Sequence, residues 1–445
     1  MTELNRPKVV YLTAGAGGMF CGSCMHDNAL SRALIDQGWG VQLTPTYTPI
    51  RTDEQSVSVD QVFFGGINVF LQQKLPLFRW LPASLDRFLD SPKLIRRVTS
   101  KAMDTDPKTL GKLAVSMLQG MRGNQRKEVR RLCDWLKISK PQLIVFSNIL
   151  IGGCIEEIKQ QVKAPVIVTL QGDDVFLSSL SEPFKSQAFA EIEKIGKHVD
   201  GFIVHSEFYR DYISEYLKLD PSKFHITPLG LELNDFKSLR QLPQRTDDPS
   251  VTLGYLARLA PEKGLHHLVD AYIGGKQSGA FESVKLRIAG WLGPQHKQYA
   301  DAQFEKLRAA GLESEYEYVG AIEREEKIDF LQSLDLFSVP ADFLEPKGLY
   351  ALEALAAGVA VIAPDHGVFP ELARSVGGIR LFANRDASSL QSAIETLAGS
   401  PALRLELAQQ GQGNVFRDRN AKAMALSTGE VFGDVCHGDG NAAAV

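Results

Sequence analysis

The run Glu345-Pro-Lys-Gly-Leu-Tyr-Ala-Leu-Glu353 constrains this chain more than any other feature. An apolar, strand-like stretch, Leu336–Pro340, precedes it, and a helix-like stretch carries it on to Gly358. Two carboxylates therefore flank a glycine at the mouth of a helix, at the carboxyl end of a strand. That is the end at which open α/β sheets receive ligands. The first amides of a helix lack partners inside it and carry partial positive charge, so Gly348, Leu349 and Tyr350 are placed to hold an anion.

The rest of the chain repeats the same alternation. Val9–Thr13 reads as a buried strand, followed by Gly15-Ala-Gly17-Gly18, a helix ending near Gly38, and a return strand Val41–Pro45. This is a βαβ opening of the Rossmann type, with glycines where a ligand approaches. Phe20 stands where a third glycine would complete G-x-G-x-x-G, so the dinucleotide reading is weak. Further strand-like runs are Leu143–Phe146, Val166–Leu170 and Gly201–His205. After a polar segment, Arg240–Ser250, that reads as a linker, the alternation restarts with strand Val251–Tyr255, helix Gly264–Tyr272 and strand Lys285–Ala289. The fold class expected is α/β: two Rossmann-like domains facing across a cleft, residues 1–245 and 246–415. A last helix at Ala421–Val435, within residues 416–445, is expected to return to the first domain.

Bulk properties exclude several classes. A chain of 445 residues suggests two domains. With 44% hydrophobic residues, 23% charged and a net charge of −4, it gives no reason to propose nucleic-acid binding. No apolar run is long enough to cross a bilayer, and the N-terminus lacks the pattern of a signal peptide. Five cysteines do not make a disulfide framework in so long a chain. A cytoplasmic protein is expected.

Several side chains complement the Glu345 segment. With a helix start near Gly348, Glu353 lies about 7–8 Å further along the axis. One carboxylate can then accept hydrogen bonds from a sugar while the other takes a ribose beyond the phosphates. That layout fits a sugar joined to a nucleoside by a diphosphate. Arg258 and Lys263 follow the first strand of the second half. Pre-placed cations there stabilise the charge a departing diphosphate gathers, Arg by bidentate contact and Lys as a point charge. Standing alone, the same two residues would read as exposed charges near a helix start.

These segments resemble the glycosyltransferases of family 4, retaining enzymes of the two-domain GT-B fold. Glu345 and Glu353 stand in the family's E-x7-E pattern, and Ala354-Leu-Ala-Ala-Gly358-Val-Ala-Val-Ile362 is similar to its continuation. Gly254-Tyr-Leu-Ala-Arg258-Leu-Ala-Pro-Glu-Lys263-Gly264 resembles the segment that grips the donor diphosphate. Leu286–Gly290, Tyr318-Val-Gly320, Pro364–Glu371 and Thr227-Pro-Leu-Gly230 follow the same order. The resemblance covers most of residues 200–375. It implies a metal-independent hexosyltransferase acting on a nucleotide-diphosphate sugar and a hydroxyl acceptor, with no cofactor. Arg258 and Lys263 are then expected to take leaving-group charge and Glu345 the donor-sugar hydroxyls. Glu353 takes the ribose, while Gly290, Gly348, Leu349 and Tyr350 line the donor. Lys347 departs from the pattern, which has an aromatic there.

The first domain is expected to hold the acceptor. Gln171 and Asp173 end the strand beginning at Val166. Gln171 stands where many relatives have His, and it can hydrogen-bond a sugar but cannot transfer a proton. Strand-end turn chemistry explains Asp173 and Asp174 equally well. Gly17 and Gly18 allow close backbone approach to the donor phosphates, or simply form a turn. Cys21-Gly-Ser-Cys24 reads as small residues packing a turn, with a reactive thiol pair as the alternative. Asp104-Thr-Asp106 matches a metal-binding D-x-D of another fold and reads as coincidence, so no metal is expected. Residues 74–131 hold 14 Lys and Arg against 5 Asp and Glu, an excess of 14 − 5 = +9. Beside Phe78 and Trp80 they suit an anionic membrane surface or a phosphorylated acceptor. A solvated insertion packed on the first domain is the alternative. Competing functions are a nucleotide-sugar epimerase or glycan phosphorylase on the same fold, and a non-catalytic or thiol-responsive binding protein.

Overall fold

The computed structural model describes residues 8–15, 22–50, 52, 54–59, 62–64, 69, 71–73, 107–236 and 250–438. Gly17, Gly18, Cys21, Asp104, Asp106 and most of the polar segment 240–250 lie outside them. Contacts divide the chain into two compact units: Met1–Gly230 with Ala421–Val445, and Leu231–Asn420.

In the first unit, apolar runs become a wholly parallel sheet. Its strands are β1 (Lys8–Thr13), β2 (Gly40–Pro45), β3 (Leu143–Phe146), β4 (Val166–Thr169), β5 (Gly201–Val204) and β6 (Phe224–Ile226), in the order β2-β1-β3-β4-β5-β6. β3, β4 and β5 are buried at every residue, as strands covered on both faces must be. The helices between them are α1 (Gly22–Asp36), α2 (Pro107–Leu118), α3 (Arg126–Ser139), α4 (Ile155–Gln161), α5 (Asp173–Ser179), α6 (Phe184–His198) and α7 (Glu207–Leu217).

The second unit repeats the plan with β7 (Val251–Leu256), β8 (Val284–Ala289), β9 (Tyr316–Gly320), β10 (Leu336–Ser338), β11 (Ala360–Pro364) and β12 (Ile379–Phe382). The order is β12-β11-β10-β7-β8-β9, again parallel throughout. Its helices are α8 (Leu265–Gln277), α9 (Lys297–Ala309), α10 (Arg324–Gln332), α11 (Leu349–Ala356), α12 (Phe369–Ser375), α13 (Ala387–Ala398) and α14 (Pro401–Asp418). The chain proceeds from β7 outward through β8 and β9, then returns to the other side of β7 with β10. The switch in direction between β7 and β10 opens a crevice at their carboxyl ends.

The final helix, α15 (Ala421–Gly438), belongs to the first unit, where Phe432 meets the edge of Trp39 behind α1. The first crossing between units falls at Gly230, ahead of the polar segment. Leu231 already bonds within the second unit, its N–H donating to Arg419 O at 2.8 Å.

Candidate functional site

The switch point of the second unit gathers the charged residues. Gly264 holds φ +69°, and a Cβ there would lie 1.7 Å from Pro340 O, so only glycine lets the loop after β7 touch the loop after β10. Asp342 N–H seals the approach by donating to Glu262 O at 2.9 Å. The result places Lys263 Nζ 3.2 Å from Glu345 Oε2, with side chains 18% and 6% exposed. The same ammonium lies 4.4 Å from the centre of the Phe343 ring and 5.0 Å from that of Tyr350. Aromatic faces attract such a cation. Burial, and the Glu345 carboxylate beside it, hold the Tyr350 hydroxyl well above the usual phenol range.

Gly348, in the left-handed region at φ +67°, caps α11. Its N–H donates to Glu345 Oε1 at 3.3 Å, so this carboxylate caps the helix while its other oxygen meets Lys263. The helical ladder begins with Ala351 N–H donating to Gly348 O. The N–H groups of Leu349 and Tyr350 precede it, at the positive end of the helix. Lys347 is buried in the same loop.

Other expected residues sit differently. Arg258 is 42% exposed at its side chain and pairs with Glu262 at 2.7 Å. Its backbone is tied to that of Lys263 through the Tyr255 hydroxyl, which donates towards both carbonyls. Glu353 meets Lys327 of α10, Nζ to Oε1 2.8 Å, with side chains only 10% and 13% exposed. Lys327 was missed in the sequence. Its signal was a lysine on the apolar face that also carries Ile328 and Leu331. Gly290 bonds the chain itself: its N–H donates to Gly320 O, and its carbonyl accepts from Tyr318.

In the first unit, the acids at the strand ends are held by hydrogen bonds from their own chain. Asp173 accepts from Ile149 N–H at 2.8 Å and Gln171 N–H at 3.0 Å. Burial pushes its carboxyl up to about 6, with those amides pulling the other way. This is the strand-end chemistry named as the alternative. Asp174 accepts from the Tyr209 hydroxyl at 2.7 Å. Gln171 donates to Asp27 at 3.0 Å and to Ser147 O at 3.3 Å. Asp27, also missed, is wholly buried on α1 and takes further bonds from Thr13 at 2.7 Å, Tyr11 at 3.1 Å and His26 at 3.1 Å. Its signal was the polar trio His26-Asp27-Asn28 inside an apolar helix. Cys24 is buried on the same helix. In the basic stretch, Arg131 donates to Val62 O and Phe63 O and pairs with buried Glu128, while Arg122 pairs with Glu191. Among the described residues no helix is long and apolar enough to cross a membrane.

Residues 239–414 match the family model "Glycosyl transferases group 1". A phosphatidyl-myo-inositol mannosyltransferase of Mycobacterium leprae is 28% identical over 183 residues, 40% of this chain and 46% of that protein. A Corynebacterium glutamicum protein, named as a GDP-mannose-dependent monoacylated alpha-(1-6)-phosphatidylinositol monomannoside mannosyltransferase, is 26% identical over 58% of this chain and 67% of its own length. The chain spans under half the length of the first relatives it matches, 46% of this mannosyltransferase and 41% of a glycogen synthase of Mycobacterium tuberculosis. Sucrose-phosphate synthase from Thermosynechococcus elongatus superposes with TM-score 0.69 and 18% identity, over 96% of this chain and 99% of that one. Anabaena Alr3699/HepE, solved in complex with UDP, gives 0.67 and 15%, over 96% and 100%. The fold is thus the GT-B fold expected from the sequence. Within it, the stretch that matches the glycosyl transferases group 1 model includes both Lys263 and Glu345.

Proposed function

We propose that this chain is a retaining glycosyltransferase that moves a sugar from a nucleotide-diphosphate sugar to a hydroxyl acceptor. The observation that carries the reading is the Lys263–Glu345 pair, 3.2 Å apart beside the first turn of a helix, at the switch point of a parallel sheet. A donor diphosphate offers Lys263 a stronger anionic partner than one carboxylate. Once Lys263 turns to the phosphates, Glu345 Oε2 becomes available to donor-sugar hydroxyls, while Oε1 still caps Gly348. The N–H groups of Leu349 and Tyr350 face the same developing charge, and fixed dipoles of this kind stabilise a leaving group most where water is excluded. Arg258, exposed on its loop, exchanges Glu262 for an outer phosphate oxygen. Glu353, held on one oxygen by Lys327, keeps the other for the ribose.

Attack on the face from which the leaving group departs needs no protein nucleophile, and the donor phosphate takes up the acceptor proton. No metal and no cofactor beyond the donor enter this scheme. The acceptor is a hydroxyl compound taken up by the first unit, and residues 74–131 bring the protein to an anionic membrane surface on the cytoplasmic side. Absence of salt-sensitive co-sedimentation with anionic vesicles would remove that last element alone. One relative's name gives GDP-mannose as donor and Anabaena Alr3699/HepE was solved with UDP, so both nucleotides belong in the test. Incubation with UDP-glucose or GDP-mannose and a panel of hydroxyl acceptors should release the nucleoside diphosphate with an α-linked product. Release in wild type but not in Lys263→Ala supports the reading, and equal release in both overturns it.

A further inference from the structure

A second cluster of the second unit is unused by this scheme. His266 and His267 open α8, and Asp342 lies on the loop leading to Glu345. His267 Nε2 stands 2.9 Å from Asp342 Oδ1, and His266 Nε2 stands 3.4 Å from Oδ2. One ligand atom from each of the three residues lies within 4.8 Å of the other two. The side chains are 27%, 17% and 23% exposed, so the cluster is reachable from solvent yet held by the fold. We propose that His266, His267 and Asp342 form a binding site for a borderline divalent transition ion of the Zn²⁺ or Co²⁺ kind, which staples the first turn of α8 to the loop bearing Glu345.

Three observations favour such an ion over a simple hydrogen-bonded hub. Two imidazole nitrogens and one carboxylate oxygen are a common three-ligand set for Zn²⁺, leaving a fourth position open. Nitrogen-rich ligation of this type disfavours Mg²⁺ and Ca²⁺, which prefer all-oxygen sites. Bonds of about 2.0–2.1 Å require the ligand atoms to move by only about an ångström. Outer partners are also in place. The Tyr299 oxygen is 2.9 Å from His266 Nδ1 and accepts His266 N–H at 3.2 Å. With Nδ1–H donating to that oxygen, Nε2 is the nitrogen left for a metal. Arg385 Nε donates to Asp342 Oδ1 at 2.9 Å, which orients the carboxylate.

The ion takes no part in sugar transfer, and the proposal stands whether or not the chain proves to be a glycosyltransferase. Titration of the purified, tag-free protein with Co²⁺ tests it by visible absorption. Ligand-field bands should grow to one equivalent, disappear on adding Zn²⁺ and persist in excess Mg²⁺. His267→Gln and Asp342→Asn should each weaken Co²⁺ binding at least tenfold, while His198→Gln, distant in sequence on α6, should leave it unchanged. His266→Gln serves as a further variant should Asp342→Asn misfold, with far-UV circular dichroism as the check. Absence of bands in wild type, or bands unaltered in His266→Gln and His267→Gln, overturns the proposal.

Discussion

The two sheets of this protein share a plan, yet their ligand-facing ends are chemically unlike. At the end of the second sheet, Lys263 and Glu345 satisfy one another, each by a charge that an incoming ligand can replace. At the end of the first, Asp27, Asp173 and Asp174 are satisfied by amides and hydroxyls of their own chain. The first arrangement is exchangeable and the second is locked. Similar residue types are thus satisfied in different ways: the proposed site pairs charge with charge, whereas the acids of the first sheet accept from amides and hydroxyls of their own chain.

This contrast can be broken most sharply at the second sheet. Lys263→Ala and Glu345→Ala should each lower kcat about a hundred- to a thousandfold, the cost of removing one group that stabilises transition-state charge. Far-UV circular dichroism should remain that of wild type, and steady-state rates within a factor of a few would make the pair merely structural. The first sheet should answer the other way. Asp27→Ala strands the Thr13, Tyr11 and Gln171 donors in a dry interior, where an unsatisfied group costs about 1–3 kcal/mol. Denaturant unfolding should show a loss of about 2–3 kcal/mol, and unchanged stability would mean those donors find other partners.

A smaller effect belongs to Lys327. If it only positions Glu353, Lys327→Ala should raise the donor KM about tenfold, near 1.4 kcal/mol, with kcat little changed. A collapse of kcat with KM constant would place it among the groups acting on the transition state. A further effect is a pH slope. Folded Asp173 takes its proton near 6 instead of the usual 3.8, so between these values the folded state binds more protons than the unfolded. Its contribution therefore makes stability fall as pH rises through that window. Asp173→Asn should flatten this part of the stability–pH curve, and an unaltered curve would show that Asp173 does not titrate there.

How much of this was legible in the sequence follows the distance over which each feature is made. The strands were legible because β3, β4 and β5 are unbroken apolar runs buried on both faces. β6 was not, since Phe224–Ile226 is a half-buried edge of three residues with no periodicity to read. Glu345, Gly348 and Lys263 were legible because each follows a recognisable strand at short range. Their partners were not. Lys327 meets Glu353 across 26 residues, Gln171 meets Asp27 across 144, and His267 meets Asp342 across 75. Such pairs exist only once the parallel sheet brings helices and loops from distant segments together. Arg258 shows the opposite case, a cation whose local partner Glu262, four residues on, was visible throughout.

The central claim is that the loops after β7 and β10 form a diphosphate site. Isothermal titration of UDP and GDP into wild type, Lys263→Ala and Gln171→Ala tests it most directly. At least one nucleotide should bind wild type and Gln171→Ala alike and bind Lys263→Ala at least tenfold more weakly. Undiminished binding to Lys263→Ala would contradict the account.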